Sequence, residues 1–92
     1  MASYSLDIKR SAAKELIALP RQDRARIIAR IHALAHELRP PGSEKLSGQE
    51  RYRIRQGDYR ILYEIRDDVL IVMVVRIAHR RDVYRKSTPP AA

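Results

Sequence analysis

The sequence contains no cysteine, no tryptophan and no phenylalanine. Without cysteine there is no disulfide scaffold, no thiol nucleophile and no thiolate zinc site. Five tyrosines are the whole aromatic complement, which argues against a single-strand binder built on Phe or Trp stacking platforms. The three glycines, Gly42, Gly48 and Gly57, form no phosphate-cradling pattern and read as turn residues. No apolar run exceeds Val69 to Val75, far short of the ~20 residues of a membrane span. Met1 to Ser5 lacks the basic and then apolar order of a secretion signal, so a cytoplasmic protein without membrane contact is expected. Acidic residues are also scarce, eleven against nineteen Lys plus Arg, which leaves a net charge of +8 over 92 residues.

Fifteen of the nineteen cations are Arg. Guanidinium stays charged at any physiological pH and grips phosphate in a bidentate fork, so a soluble polyanion is the expected partner. A chain this short buries only a little over ~60% of its unfolded surface. One domain over residues 1–86 is therefore expected, with a disordered tail at residues 87–92, where Pro89 and Pro90 stand among residues with little to bury.

Tyr4, Leu6 and Ile8 alternate with Ser5 and Asp7, the period of a half-buried strand. Ser11 is a candidate cap for a helix over Ala12 to Leu19, and Pro20 marks a boundary. From Arg21 the apolar positions Ile27, Ile31, Leu34 and Leu38 predict a long amphipathic helix that ends before Pro40. A loop is expected to run to Gly48. Two alternating strands then flank Gln56-Gly57, and Val69 to Ile77 suits a central strand. The expected fold is α+β: β-α-α-β-β-β, with two helices on one face of an antiparallel sheet and the other face free.

A two-residue turn at Gln56-Gly57 sets Arg55 opposite Asp58, Ile54 opposite Tyr59, Arg53 opposite Arg60 and Tyr52 opposite Ile61. Tyr52, Ile54, Tyr59 and Ile61 then face the helices, and Arg53, Arg55 and Arg60 face away. Like charges across a strand pair repel, and an anion between them reverses the sign, so a phosphate site is inferred there. The plainer reading is that these arginines keep an exposed sheet face soluble and guard it against edge pairing. Glu64 on the same face reads first as a salt-bridge partner for Arg60 or Arg55 and second as a base. His32 and His36 stand four apart but lack a third ligand, so no metal is expected.

The segments Ala12-Ala13-Lys14-Glu15-Leu16, Leu19-Pro20, Lys45-Leu46-Ser47-Gly48, RYRIRQGDYRILYEI from Arg51 to Ile65, and IAHRRDVYR from Ile77 to Arg85 together resemble the RelE branch of the RelE/ParE toxin superfamily. The resemblance spans nearly all of residues 4 to 85. It implies a bacterial type II toxin, a metal-independent mRNA endonuclease that works on the ribosome through attack of the substrate's own 2′-hydroxyl, with no cofactor. Carried over by position, the implied catalytic set is Arg53, Arg55, Arg60, Arg80 and Tyr84. Lysines are common in the family where Arg53 and Arg55 stand, and a guanidinium has no proton vacancy with which to act as a base. The resemblance further implies RNA contacts from Lys45, Arg51, His79 and Arg81. Tyr84 and His79 are the two candidates for moving protons. The implied partners are an acidic RelB-like antitoxin, the ribosome with its mRNA, and operator DNA only through the antitoxin complex. Two rival readings stand beside this one: a ParE-like toxin that poisons DNA gyrase without nuclease chemistry, and an inactive nucleic-acid-binding relic.

Overall fold

In the computed structural model, residues 4–46 and 50–79 are described here. The chain forms β1 (Ser5–Ile8), α1 (Arg10–Ile17), α2 (Arg21–Leu34), β2 (Glu44–Lys45), β3 (Arg51–Gln56), β4 (Tyr59–Arg66) and β5 (Ile71–His79). The five strands make one sheet in the order β1-β5-β4-β3-β2. Two helices on a mostly antiparallel sheet give the expected α+β architecture, with two departures.

Glu44 and Lys45, expected in a loop, pair with Arg53 and Tyr52 as a short edge strand. β1 runs parallel to β5, Leu6 beside Val72 and Ile8 beside Val74. β2 to β5 alternate in direction, so β5 runs opposite to β2, and the passage through α1 and α2 starts β2 opposite to β1, which leaves β1 and β5 parallel. The turn before β5 takes up Val69 and Leu70, so the strand starts two residues later than the apolar run suggested. Leu70 adopts a left-handed φ of 56°, and its carbonyl accepts the Ser5 N–H at 2.8 Å.

The helices follow their apolar spacing, with boundaries set by the backbone. α1 begins at Arg10 with Lys9 at its N-cap and no side-chain cap, so Ser11 lies inside the first turn rather than capping it. Pro20, whose missing N–H costs nothing at a helix start, is the N-cap of α2. Its carbonyl accepts the Arg24 N–H at 2.9 Å. Asp23 sits in the first turn of α2, where a negative charge favours the exposed N–H groups. α2 ends at Leu34, one turn before Leu38, which still packs on the core from outside the helix.

Ile27, Ile31 and Leu34 of α2 and Ala12 of α1 cover one sheet face. Beneath them lie Ile54 from β3, Ile61, Tyr63 and Ile65 from β4, and Val72, Val74 and Ile77 from β5. Burying each large aliphatic side chain contributes ~1.5–3 kcal/mol. Tyr63 is fully buried, and its hydroxyl donates to the Leu38 carbonyl at 2.8 Å, which satisfies the phenol inside the core. Among the described residues no helix is long and apolar enough to cross a membrane.

Candidate functional site

The β3–β4 hairpin turns at Gly57-Asp58, one residue later than expected, because Gln56 pairs with Tyr59. Gly57 has φ +60°, the value a type II′ turn requires at its first central residue and one that glycine adopts without strain. Arg53 therefore faces Leu62 rather than Arg60, and Arg55 faces Arg60 rather than Asp58. The pairing slides by two residues, so every side chain keeps its face. Tyr52, Ile54, Tyr59 and Ile61 remain on the helix side, and Arg53, Arg55 and Arg60 share the open side.

Continuing the register into β5 lays out three cross-strand rows on the open face. The first is Arg55, Arg60 and Ala78; the second is Arg53, Leu62 and Arg76; the third is Arg51, Glu64 and Met73. A bulge between Leu62 and Tyr63 inserts Val75 beside the second row, since Leu62 pairs with Arg76 and Tyr63 with Val74.

Charge is unevenly compensated along these rows. In the third, Glu64 accepts from Arg51 Nε at 3.2 Å and from Arg51 NH2, and its other oxygen accepts from Arg66 at 3.3 Å. The Arg51 guanidinium, with help from Arg66, holds the Glu64 carboxyl below the usual carboxylate range. The salt-bridge reading of Glu64 thus holds with different partners from those expected. In the second row Arg53 pairs with Glu44 at 3.4 Å, and Arg76 Nε lies 3.5 Å from Glu15 Oε2. The Nε atoms of Arg53 and Arg76 are both buried without a hydrogen-bond acceptor. In the first row, among the described residues, neither Arg55 nor Arg60 has an acidic partner. Arg60 donates to the neighbouring Tyr59 carbonyl at 3.4 Å.

Glu15 is a residue that the sequence did not advertise. From α1 it accepts the Ile77 N–H at 2.9 Å, and so fastens the outer edge of β5 beyond the end of β1. No local pattern marks such a contact, because its partners are 62 residues apart. Glu44 likewise carries no local mark for this face, whereas the alternation along β4 already sets Arg66 beside Arg60 and Glu64.

The remaining predicted residues are scattered. Lys45 pairs with Glu50 at 3.3 Å on the β2 edge. Glu50 also accepts from the Tyr52 hydroxyl, which in turn accepts from Arg39 Nε at 2.9 Å. His79 pairs with Tyr59 across β4 and β5, their rings meeting edge to face at 5.4 Å. Tyr59 reaches Asp23 of α2 at 3.4 Å, so this pair belongs to the helix side of the sheet. Burial and the nearby Asp23 carboxylate raise the Tyr59 phenol above its ordinary value. Arg80, Arg81 and Tyr84 lie outside the described residues. Among the described residues no group of His, Asp and Glu could hold a metal ion.

Residues 6–84 match the family described as the ParE toxin of type II toxin-antitoxin systems, parDE. This chain is a toxin of the RelE/ParE superfamily. A 35-residue stretch of the toxin is 43% identical to Toxin RelG of Mycobacterium tuberculosis, a match that spans 38% of this chain and 40% of that relative. Among solved structures, the toxin resembles the RelBE2 toxin-antitoxin complex of M. tuberculosis at 26% identity and TM-score 0.75, covering 85% of this chain and 99% of that one. The RelB-RelE complex of Methanococcus jannaschii aligns at 26% identity and TM-score 0.73, covering 89% and 99%. The isolated Escherichia coli RelE toxin shares the fold, with a TM-score of 0.76 over 92% and 95% at 22% identity.

Proposed function

We propose that the toxin is a metal-independent endoribonuclease that cleaves mRNA on the ribosome. The observation that carries the reading is the facing pair Arg55 and Arg60, two like charges held opposite each other on an open sheet face with no acidic partner among the described residues. Folding gains nothing from that arrangement, whereas an RNA phosphate between them does. Cleavage by the substrate's 2′-hydroxyl requires a proton to leave that hydroxyl, extra charge on phosphorus to be stabilised, and a proton to reach the departing 5′-oxygen. Arg60, with Arg80, stabilises the charge. Arg53 and Arg55 hold the phosphate, with Lys45, Arg51 and Arg81 along the RNA. Tyr84 is the proton carrier, and the placement of His79 beside Tyr59 on the helix side favours Tyr84 over it. The site has no strong base, so it depends on the ribosome to hold the 2′-hydroxyl in line, an effect that can contribute ~7 to 11 kcal/mol.

A toxin with +8 net charge and this cationic face needs a neutralising partner in the cytoplasm. The solved relatives in complex with an antitoxin support an antitoxin partner; by charge complementarity with the cationic face it is acidic and partly disordered, folds over that face and carries the pair to operator DNA. The match to a ParE toxin family favours a second reading, a gyrase poison without nuclease chemistry. Inducing the chain in a host without its antitoxin separates the two. Fresh mRNA 5′ ends within codons support the nuclease; gyrase-linked DNA breaks without new RNA ends overturn it.

A further inference from the structure

Beside the cationic row lies a second, differently built feature of the same face. The strands β3, β4 and β5 enclose a shallow groove of about 530 Å³. Its lining combines the apolar Leu62, Met73 and bulged Val75 with the cationic Lys9, Arg51, Arg66 and Arg76. Glu64 stands in the wall between them. Apolar side chains beside planar guanidinium groups suit a flat, partly polar ring, since RNA bases stack on Arg planes as well as on aromatic side chains.

Glu64 adds a selective element. A carboxylate offers about four acceptor positions. Both Arg51 donors fall on Oε2, and one Arg66 donor falls on Oε1, which leaves Oε1 able to accept once more. Leu62 follows Arg60 by two residues on β4, a step of about 7 Å along the strand. The groove thus begins one side-chain row from the cations that face each other. Arg53 and Arg76 flank Leu62 in its own row; the buried Nε of Arg53 has no hydrogen-bond acceptor among the described residues, while that of Arg76 is ion-paired with Glu15.

We propose that this groove is a base-binding subsite, in which Glu64 accepts a hydrogen bond from the exocyclic amine of an RNA base next to the phosphate held at Arg55 and Arg60. The inference rests on the RNA-cleaving reading above for its ligand class. Uracil, which has a carbonyl where cytosine has an amine, places an acceptor against the carboxylate and is disfavoured. Without Glu64 the groove retains its stacking surface and loses its preference.

Binding rather than cleavage tests this, using the full chain freed of antitoxin. Non-cleavable 2′-O-methyl uridine hexamers, with one uridine at a time replaced by cytidine or adenosine, are titrated by fluorescence anisotropy. At one position the amine-bearing base should bind about tenfold more tightly than uridine, the value of a hydrogen bond to a charged group. Glu64→Gln should erase that difference, with circular dichroism and melting checking its fold. Met73→Trp, which fills the groove without altering charge, should weaken all hexamers and flatten the preference as well. Equal affinity for every hexamer, no measurable binding, or a preference that survives in both folded variants overturns the proposal. So does loss of antitoxin co-purification with Met73→Trp while RNA binding is unchanged, which assigns the groove to the protein partner. Cleavage of mRNA on programmed ribosomes is scored separately for the wild type. Discrimination without cleavage refutes the nuclease and leaves the subsite, and cleavage without discrimination does the reverse.

Discussion

The two ends of one sheet face use the same residue type to opposite effect. At the hairpin end Arg55 and Arg60 oppose each other with no acidic partner among the described residues. Four residues before Arg55 on β3 and four after Arg60 on β4, Arg51 meets Glu64, which also engages Arg66. All of these arginines alternate with the same core residues, so nothing in the local pattern separates them. Register separates them, because a slide of two residues decides which charge faces which. An arginine on an exposed sheet face is therefore not in itself evidence of a binding site; the charge across the strand from it decides.

The largest effect expected from breaking this contrast is on activity. Arg60→Ala should lower the cleavage rate by ~10² to 10³, as loss of a transition-state charge stabiliser does, while Arg51→Ala should cost far less. Ribosomal cleavage assays on both variants, with growth arrest as the cellular readout, check this. Arg60→Ala should also fold normally and melt no lower than wild type, because it removes a like-charge pair. Equal losses from the two variants would erase the distinction between the ends.

The next effect acts on both ends at once. Ile61 lies fully buried between them, and Ile61→Ala should cost ~2–5 kcal/mol by leaving a cavity in the core. Denaturant unfolding measures it, and both ends should be lost in a single transition.

A smaller effect appears at alkaline pH. Burial pushes the Tyr63 phenol up to about 12, above its ordinary value near 10. A raised folded value favours the protonated form, so this stabilisation is intact below pH ~10 and is lost as pH rises toward 12. Melting temperatures should decline across that window, and Tyr63→Phe, less stable at neutral pH for want of the Leu38 hydrogen bond, should decline less.

The smallest effect sharpens the paired end. Glu64 has a lowered folded value, so its contribution is full above the ordinary Glu range and is lost as pH falls through that range and below it. The pair is partly exposed, so the loss should be under ~1 kcal/mol. Thermal melts from pH 7 to pH 3 should show a shallower acid decline in Glu64→Gln than in wild type, and a parallel decline would deny the carboxylate this role.

Much of this was legible in the sequence. The alternation of Tyr52, Ile54 and Ile61 with Arg53, Arg55 and Arg60 identified the buried and open faces, and an error of two residues in pairing left the faces intact because the strand period is two. The turn position was not legible, since Gln56-Gly57 and Gly57-Asp58 both place Gly57 at a central residue. The bulge at Val75, the Glu15 contact to Ile77 and the grouping of Arg76 with Arg53 around Leu62 were also out of reach, because each joins elements distant in the chain.

Composition and periodicity alone determined that the chain makes a basic α+β domain with one arginine-bearing sheet face. Hydrophobic burial enforces that outcome residue by residue, and its signal is local. The tertiary structure alone decided that β1 runs parallel to β5, that Arg55 rather than Arg53 faces Arg60, and that Glu64 quenches Arg51 and Arg66. Those are matters of register and long-range approach, where a shift of a few ångströms leaves the buried pattern unchanged and reassigns every charge on the open face.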